Sequence, residues 1–246
     1  MENKYTDLDQ LKDKLNHLRQ NHSDKVAKAF EIEYTYESNK IEGNTLTLQE
    51  TALVIEKGLT IGGKSLNEHL EAINHQHAIE YIKELATQNE PITERDLLQI
   101  HQLILQGIDN ANAGKYRNVQ VLISGAKHIP PQPYIVPKQM EDLFIWYNEN
   151  KDQLHPIELS AEMHERLVTI HPFIDGNGRT SRLLMNLILL QNGFPIAILK
   201  GDVDSRLKYY GALETAQTED SKQPFIDLIT ENVRETMERI VKISEN

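Results

Sequence analysis

The chain has 246 residues, ten histidines, no cysteine and a formal charge of −11. That length suits one large domain, or one domain with a small appendage, and is enough to bury a substantial core. The missing cysteines exclude disulfides, thiolate metal sites and a cysteine nucleophile, and the acidic balance argues against broad nucleic-acid binding, which needs clustered Lys and Arg.

Met1 to Tyr5 lacks the apolar core of a signal peptide. The longest apolar run, 183–190, falls short of the roughly 20 residues of a membrane span. The expectation is a soluble cytoplasmic protein with neither nucleic acid nor membrane as partner. Helical spacing dominates. Leu8, Leu11, Leu15 and Leu18 mark an amphipathic first helix. Ser23 or Asp24 caps a second, with Val26, Phe30, Tyr34 and Ile41 facing inward and Gly43 as a stop. Thr47 and Glu50 form a capping box, which predicts a helix over 48–57 ahead of Gly58. Ser65 and Glu68 repeat the pattern and open a helix to about Thr87; Pro91 and Thr93 introduce one ending near Gly107.

Residues 110–137 differ, being rich in Gly, Pro and Asn. Two β-like runs, 119–123 and 134–136, flank Ser124-Gly125 and Pro130-Pro131, and predict an irregular loop with a small β-hairpin. Helical patterns resume over 138–150, 156–169, 178–192, 203–217 and 223–243, with Pro195 as a break. The linker-like stretch 88–92 is short for a boundary between independent domains.

Residues 171–182, His-Pro-Phe-Ile-Asp-Gly-Asn-Gly-Arg-Thr-Ser-Arg, carry the chemistry. A polar glycine-rich loop that opens an apolar helix is suited to phosphate, because free backbone N–H groups and the helix dipole both point at the anion. Pro172 disfavours helix at His171, placing a base near its ordinary titration range at a corner. Asp175 is the hard carboxylate that Mg²⁺ beside phosphates requires. Gly176 and Gly178 permit close backbone approach, and Asn177 offers an amide donor. Arg179 and Arg182 share one face of the first helical turn, where two cations oppose the macrodipole unless an anion sits there.

Two further segments stand out. Ser38 and Glu42 are four apart on one helix face, and Glu42 falls in the last turn, where the dipole disfavours a carboxylate. A counter-charge from Arg182 or Arg179 removes that misfit. Gly58 to Ser65 satisfies the Walker A pattern, so a P-loop NTPase is the alternative reading. It needs 52–56 to be a strand, against the helix that the Thr47 box predicts, and no Walker B strand ending in Asp is evident. A metal hydrolase finds no second His at zincin spacing after His164-Glu165. A partner-binding module with a decayed site conflicts with the intact 171–182 run.

That run matches the signature His-Pro-Phe-x-Asp-Gly-Asn-Gly-Arg-x-x-Arg at every defined position, and the chain is identified as a member of the Fic-domain family over about residues 30–245. The resemblance implies an all-α Fic-fold helical bundle with a small β-hairpin flap. It divides the chain into an N-terminal helical region, 1–90, holding an inhibitory helix (about 24–43), and a Fic core, 91–246, with the flap at about 114–137. It implies transfer of AMP from ATP to a Ser, Thr or Tyr hydroxyl of a protein, this chain included, with release of pyrophosphate. His171 would then be the catalytic base and Asp175 the Mg²⁺ ligand. Gly176, Asn177, Gly178, Arg179 and Arg182 would hold the phosphates, and Tyr209, Tyr210 and Gln217 the adenine; Gln217 stands where Asn is common and offers the same groups. Flap residues Val121, Leu122, Ile123, His128 and Ile129 would hold the target by strand addition. Ser38, Glu42 and Gly43 resemble the inhibitory motif Ser/Thr-x-x-x-Glu-Gly/Asn. In the class with an N-terminal inhibitory helix, the Glu pairs with the second Arg of the signature, restrains transfer, and can orient a water that removes AMP. From Ile41 onward the chain is especially similar to the animal endoplasmic-reticulum Fic enzymes. The resemblance also implies a homodimer, and the family's transfer of other nucleotides or phosphate-containing groups stays open.

Overall fold

In a computed structural model, which describes residues 4–19, 24–88, 90–219 and 221–245, the helical patterning becomes α1 (Thr6–Arg19), α2 (Asp24–Ile41), α3 (Leu48–Lys57), α4 (Leu66–Gln88), α5 (Glu94–Leu105), α6 (Val136–Asn150), α7 (Pro156–Ile170), α8 (Asn177–Gln191), α9 (Val203–Thr218) and α10 (Gln223–Ser244). Local chemistry sets the starts. Thr47 with Glu50, Ser65 with Glu68 and Thr93 with Asp96 each satisfy orphan amides reciprocally at the openings of α3, α4 and α5. Asp202 caps α9 through Ser205 N. The expected cap at Ser23 lies outside the described residues, and Asp24 is the first residue of α2.

Helix α8 is the axis of the fold, because a helix apolar on every side must be surrounded. On one side Leu183, Leu184 and Leu187 share a core with Ile79 of α4, Ile100 of α5, Met140 of α6 and Leu167 of α7. On the other, Met185 and Leu189 join Leu15 of α1 with Phe225 and Val233 of α10. Each fully buried aliphatic side chain contributes about 2 kcal/mol. Helix α2 lies across this arrangement, giving Phe30 and Tyr34 to the first core and Ile41 to the second. Residues on both sides of 88–92 therefore share one core. The first turn of α8 is polar yet buried: Asn177, Arg179, Thr180, Ser181 and Arg182 are all enclosed.

The expected β-hairpin does not form, since no described residue between 115 and 132 lies in a strand. Side chains join its arms instead of a backbone ladder: Gln120 Nε2 donates to Pro130 O (2.9 Å), and Arg117 donates to Val119 O (3.0 Å) and Pro131 O (2.6 Å). The run 134–136, expected as β, is helical: a 3₁₀ turn, Pro133–Ile135, leads into α6, because proline presets a helical φ and is tolerated in a first turn. The Walker A resemblance also fails. Residues 52–56 are part of α3, and Lys64 Nζ donates to the backbone O and the Oγ1 of Thr45. Among the described residues no helix is long and apolar enough to cross a membrane.

Candidate active site

His171 ends α7 as its C-cap at φ 50, ψ 59, and is the non-glycine residue with positive φ among those described. That conformation costs on the order of 1 kcal/mol, and Arg117 holds it in place. The Arg117 backbone N donates to Pro172 O (2.9 Å) and its Nε to His171 O (2.8 Å). One buried guanidinium thus fastens both arms of the 117–132 loop to the His171 corner. Burial, reinforced by the Arg117 charge, pushes the His171 imidazole down to about 4. It is neutral at pH 7 and free to accept a proton, and its Nδ1 has no hydrogen-bond partner.

The loop after His171 is braced from within. Phe173 is fully buried and stacks on His101 at 3.6 Å between centroids. Gly114 N donates to His101 Nδ1 (3.0 Å), so the ring proton sits on Nε2, which donates to Asp175 O (3.0 Å). Burial lowers His101 to about 4. Asn177 accepts from Phe173 N and donates to Phe173 O, both at 2.9 Å. One N–H of its side-chain amide is thus used to brace the loop. Gly176 caps α8 at φ 78 without a side-chain acceptor. No side-chain cap satisfies the N–H groups of the first turn, which is the arrangement that suits an anion.

Two buried arginines flank that turn. Arg182 donates through Nε to Ser38 Oγ (2.9 Å) and through Nη2 to Ser38 O (2.9 Å) and Glu42 Oε1 (2.6 Å). Arg179 donates to Glu71 Oε1 and Asp175 Oδ2, each at 3.1 Å. Arg182 Nη1 and Arg179 Nε are buried without partners. Leaving guanidinium donors unpaired in a protein interior is costly, and both flank the amide end of α8. Gly178 lies close under Glu42, since a Cβ there would run into Glu42 Oε1 and displace that side chain. The Glu42 carboxylate therefore lies against the positive end of the central helix. Gly43 follows it in a turn, its N donating to Lys40 O (3.1 Å). Asp175 is exposed apart from its pairing with Arg179.

The expected adenine residues separate. Tyr209 is buried behind Arg182, its hydroxyl 3.1 Å from His164 Nε2, so it offers no face to a base. Tyr210 is part-exposed and donates to Ile41 O (3.4 Å). Gln217, two turns further along α9, lines a cavity of about 460 Å³ together with Thr169 and Ile170. On the flap, Leu122 and Ile129 are exposed while Val121, Ile123 and His128 are half-buried; His128 Nε2 donates to Thr169 O (2.8 Å).

Sequence reasoning missed His101 and Glu71 and gave Arg117 no role of its own. Glu71 Oε2 accepts from Asn44 Nδ2 (2.7 Å), tying Arg179 to the turn after α2. No spacing rule could find these residues, because their partners lie far along the chain.

A family model described as the Fic/DOC family matches residues 91–189. Protein adenylyltransferase Fic of Drosophila persimilis is 36% identical over 240 residues, covering 96% of this chain and 46% of that protein. The chain thus spans about half the length of the curated relatives it matches. Among solved structures, a fragment of Fic-1 from C. elegans superposes with a TM-score of 0.85 at 33% identity, covering 96% of this chain and 70% of that one. A Fic domain containing signaling protein from Bacteroides thetaiotaomicron gives a TM-score of 0.89 at 29% identity, covering 98% and 97%.

Proposed function

The chain belongs to the Fic/DOC family, and we propose that it is a protein adenylyltransferase, moving AMP from ATP to a Ser, Thr or Tyr hydroxyl of a target protein and held in check by Glu42. The carrying observation is the Glu42 carboxylate, which pairs with Arg182 against Gly178 where the backbone of α8 favours an anion.

In this reading the ATP phosphates take the amide end of α8, and Arg179 and Arg182 turn their unpartnered N–H groups toward them. Neutral His171 removes the proton as the target oxygen attacks the α-phosphorus; the bond to the leaving pyrophosphate breaks on the opposite side. Such chemistry needs alignment and charge neutralisation more than covalent help. Mg²⁺ fits Asp175: one accessible carboxylate beside a phosphate site is the usual protein share of such a centre, and no cage of three or more His, Cys, Asp or Glu occurs among the described residues. When bound, Mg²⁺ would neutralise charge on the leaving group. The exposed Leu122 and Ile129 suit a target segment laid along the flap.

Glu42 competes with the outermost phosphate for Arg182, which is the proposed brake. The same carboxylate, placed beside the cradle, could orient a water that removes AMP from a modified target. The test is transfer of labelled AMP, to the protein itself or to a lysate, by the parent and by Glu42→Gly in Mg²⁺. A rise of about tenfold or more is expected; equal labelling overturns the brake, and no labelling by either overturns the activity.

A further inference from the structure

Both arginines of the 171–182 run are paired with a carboxylate from outside it, and the two pairings meet at one turn. Arg182 is paired with Glu42, and Arg179 with Glu71 of α4 at 3.1 Å. Glu42 comes directly after α2, and Gly43 follows at φ 99. Gly43 N donates to Lys40 O and Asn44 N to Asn39 O, both at 3.1 Å. This pair of bonds is the Schellman arrangement, which fixes the direction in which the chain leaves the helix.

Asn44 then meets α4 with every polar atom of its side-chain amide engaged. Its Oδ1 accepts from Leu46 N (2.9 Å), and a backbone N–H only donates. The other end is therefore the NH₂ group, a choice that an isolated amide leaves undetermined. That group donates to Glu68 O (3.0 Å) and to Glu71 Oε2 (2.7 Å). Glu71 is the meeting point. Its Oε1 accepts from Arg179, its Oε2 from Asn44, and its backbone O from Asn39 Nδ2 of α2 (3.2 Å). The Glu71 side chain is 20% exposed while that of Arg179 is buried, so the carboxylate has water within reach once the guanidinium turns away.

Resting on the nucleotide reading above, we infer that Glu71 is a positioning residue that links Arg179 to the turn carrying Glu42, so that phosphate binding at Arg179 and release of Arg182 from Glu42 are coupled. Without an anion, Arg179 fixes the Glu71 carboxylate, Glu71 fixes Asn44, and Asn44 holds Glu42, two residues earlier, against Gly178. A phosphate that takes Arg179 leaves Glu71 without its counter-charge, and the grip on Asn44 loosens. By linkage, whatever frees the 42–44 turn favours the phosphate to the same extent. The restraint by Glu42 thus depends on both arginines.

The experiment is a double-mutant cycle of Glu71→Gln with Glu42→Gly. It is read by labelled-AMP transfer in Mg²⁺ and by calorimetric binding of a non-hydrolysable ATP analogue. Glu71→Gln keeps one acceptor oxygen and turns the other into a donor, so one leg of the link must break. In the otherwise unaltered protein, transfer should rise about threefold or more, and the analogue should bind more tightly by a similar factor. In Glu42→Gly, where no restraint remains to be released, neither should rise. Damage to the site or the fold changes both backgrounds by the same factor; that result overturns the inference, as does no rise in the otherwise unaltered protein. If Glu71→Gln does not fold, Asn44→Ala cuts the link from the other side, leaves Arg179 with Glu71, and should show the same dependence on Glu42. Absence of both transfer and analogue binding in Glu42→Gly overturns the nucleotide reading instead.

Discussion

Arg182 Nη2 lies 2.6 Å from Glu42 Oε1 and 2.9 Å from Ser38 O, so one guanidinium joins the first turn of the central helix to the end of α2. The pair is separated by 140 residues in sequence, and its arginine is fully buried. Breaking one side of such a pair leaves an uncompensated interior charge. The contact therefore ties the end of α2 to the first turn of α8.

Ser38→Ala tests the hold without touching the carboxylate. It removes the acceptor of Arg182 Nε (2.9 Å) and should cost about 1 to 2 kcal/mol. Weaker anchoring of α2 should raise AMP transfer severalfold, less than Glu42→Gly does. Urea unfolding and labelled-AMP transfer measure the two effects; an unchanged rate would separate Ser38 from the brake.

Gly178→Ala puts a methyl group into the space of the Glu42 carboxylate. The side chains that meet there must separate, at a cost of about 1 to 3 kcal/mol. In the proposed nucleotide site the same methyl group would stand between a phosphate and the α8 backbone. Transfer should therefore stay absent even when Gly178→Ala is combined with Glu42→Gly. Recovery of activity in the double variant would move the phosphates away from this turn.

His101→Phe keeps the stack on Phe173 but strands Gly114 N and Asp175 O, both now bonded to the imidazole. A loss of about 1 to 3 kcal/mol is expected for the unpaired groups. In the Glu42→Gly background, AMP transfer should fall at least tenfold, since the loop bearing Asp175 loses its brace. Thermal unfolding and initial rates check the two parts separately.

Acid should destabilise the fold well above the carboxylate range. Burial holds His101 and His171 near 4, and holds His75 and His164 well below their ordinary 6.5. Between about pH 6.5 and 4 the unfolded chain binds more protons than the folded one, so stability rises with pH and is lost as pH falls. For His101 or His171 the loss reaches on the order of 3 kcal/mol below pH 4. The unfolding midpoint should drop from pH 7 to pH 5. A flat midpoint over that range would mean that these imidazoles are not buried neutral.

Lys64→Ala separates the two nucleotide readings. The lysine meets Thr45 on the surface, so its loss should change stability by less than about 0.5 kcal/mol. Transfer by Glu42→Gly should persist. Abolished nucleotide use would restore the P-loop reading that the α3 helix contradicts.

The residues fall into two groups by how far their reasons reach along the chain. The caps at Thr47, Ser65 and Thr93, the apolar rod at 183–190 and the glycine-bearing turn at 176–178 were legible because each depends on neighbours within a few positions. The roles of Glu71, His101 and Arg117 depend on partners 108, 74 and 54 residues away, which no local pattern encodes. The inward placement of Tyr209, whose hydroxyl meets His164 on α7, has the same origin. By itself the sequence determined most of the helices and singled out the 171–182 run as the candidate site, since propensity, capping and motif spacing are local properties. Only the tertiary structure decided that Arg182 meets Glu42 and Ser38, that the flap lacks a ladder, and that Glu71 joins Arg179 to Asn44. Those outcomes arise from burial, which leaves a polar group with the partners that the packed chain brings to it.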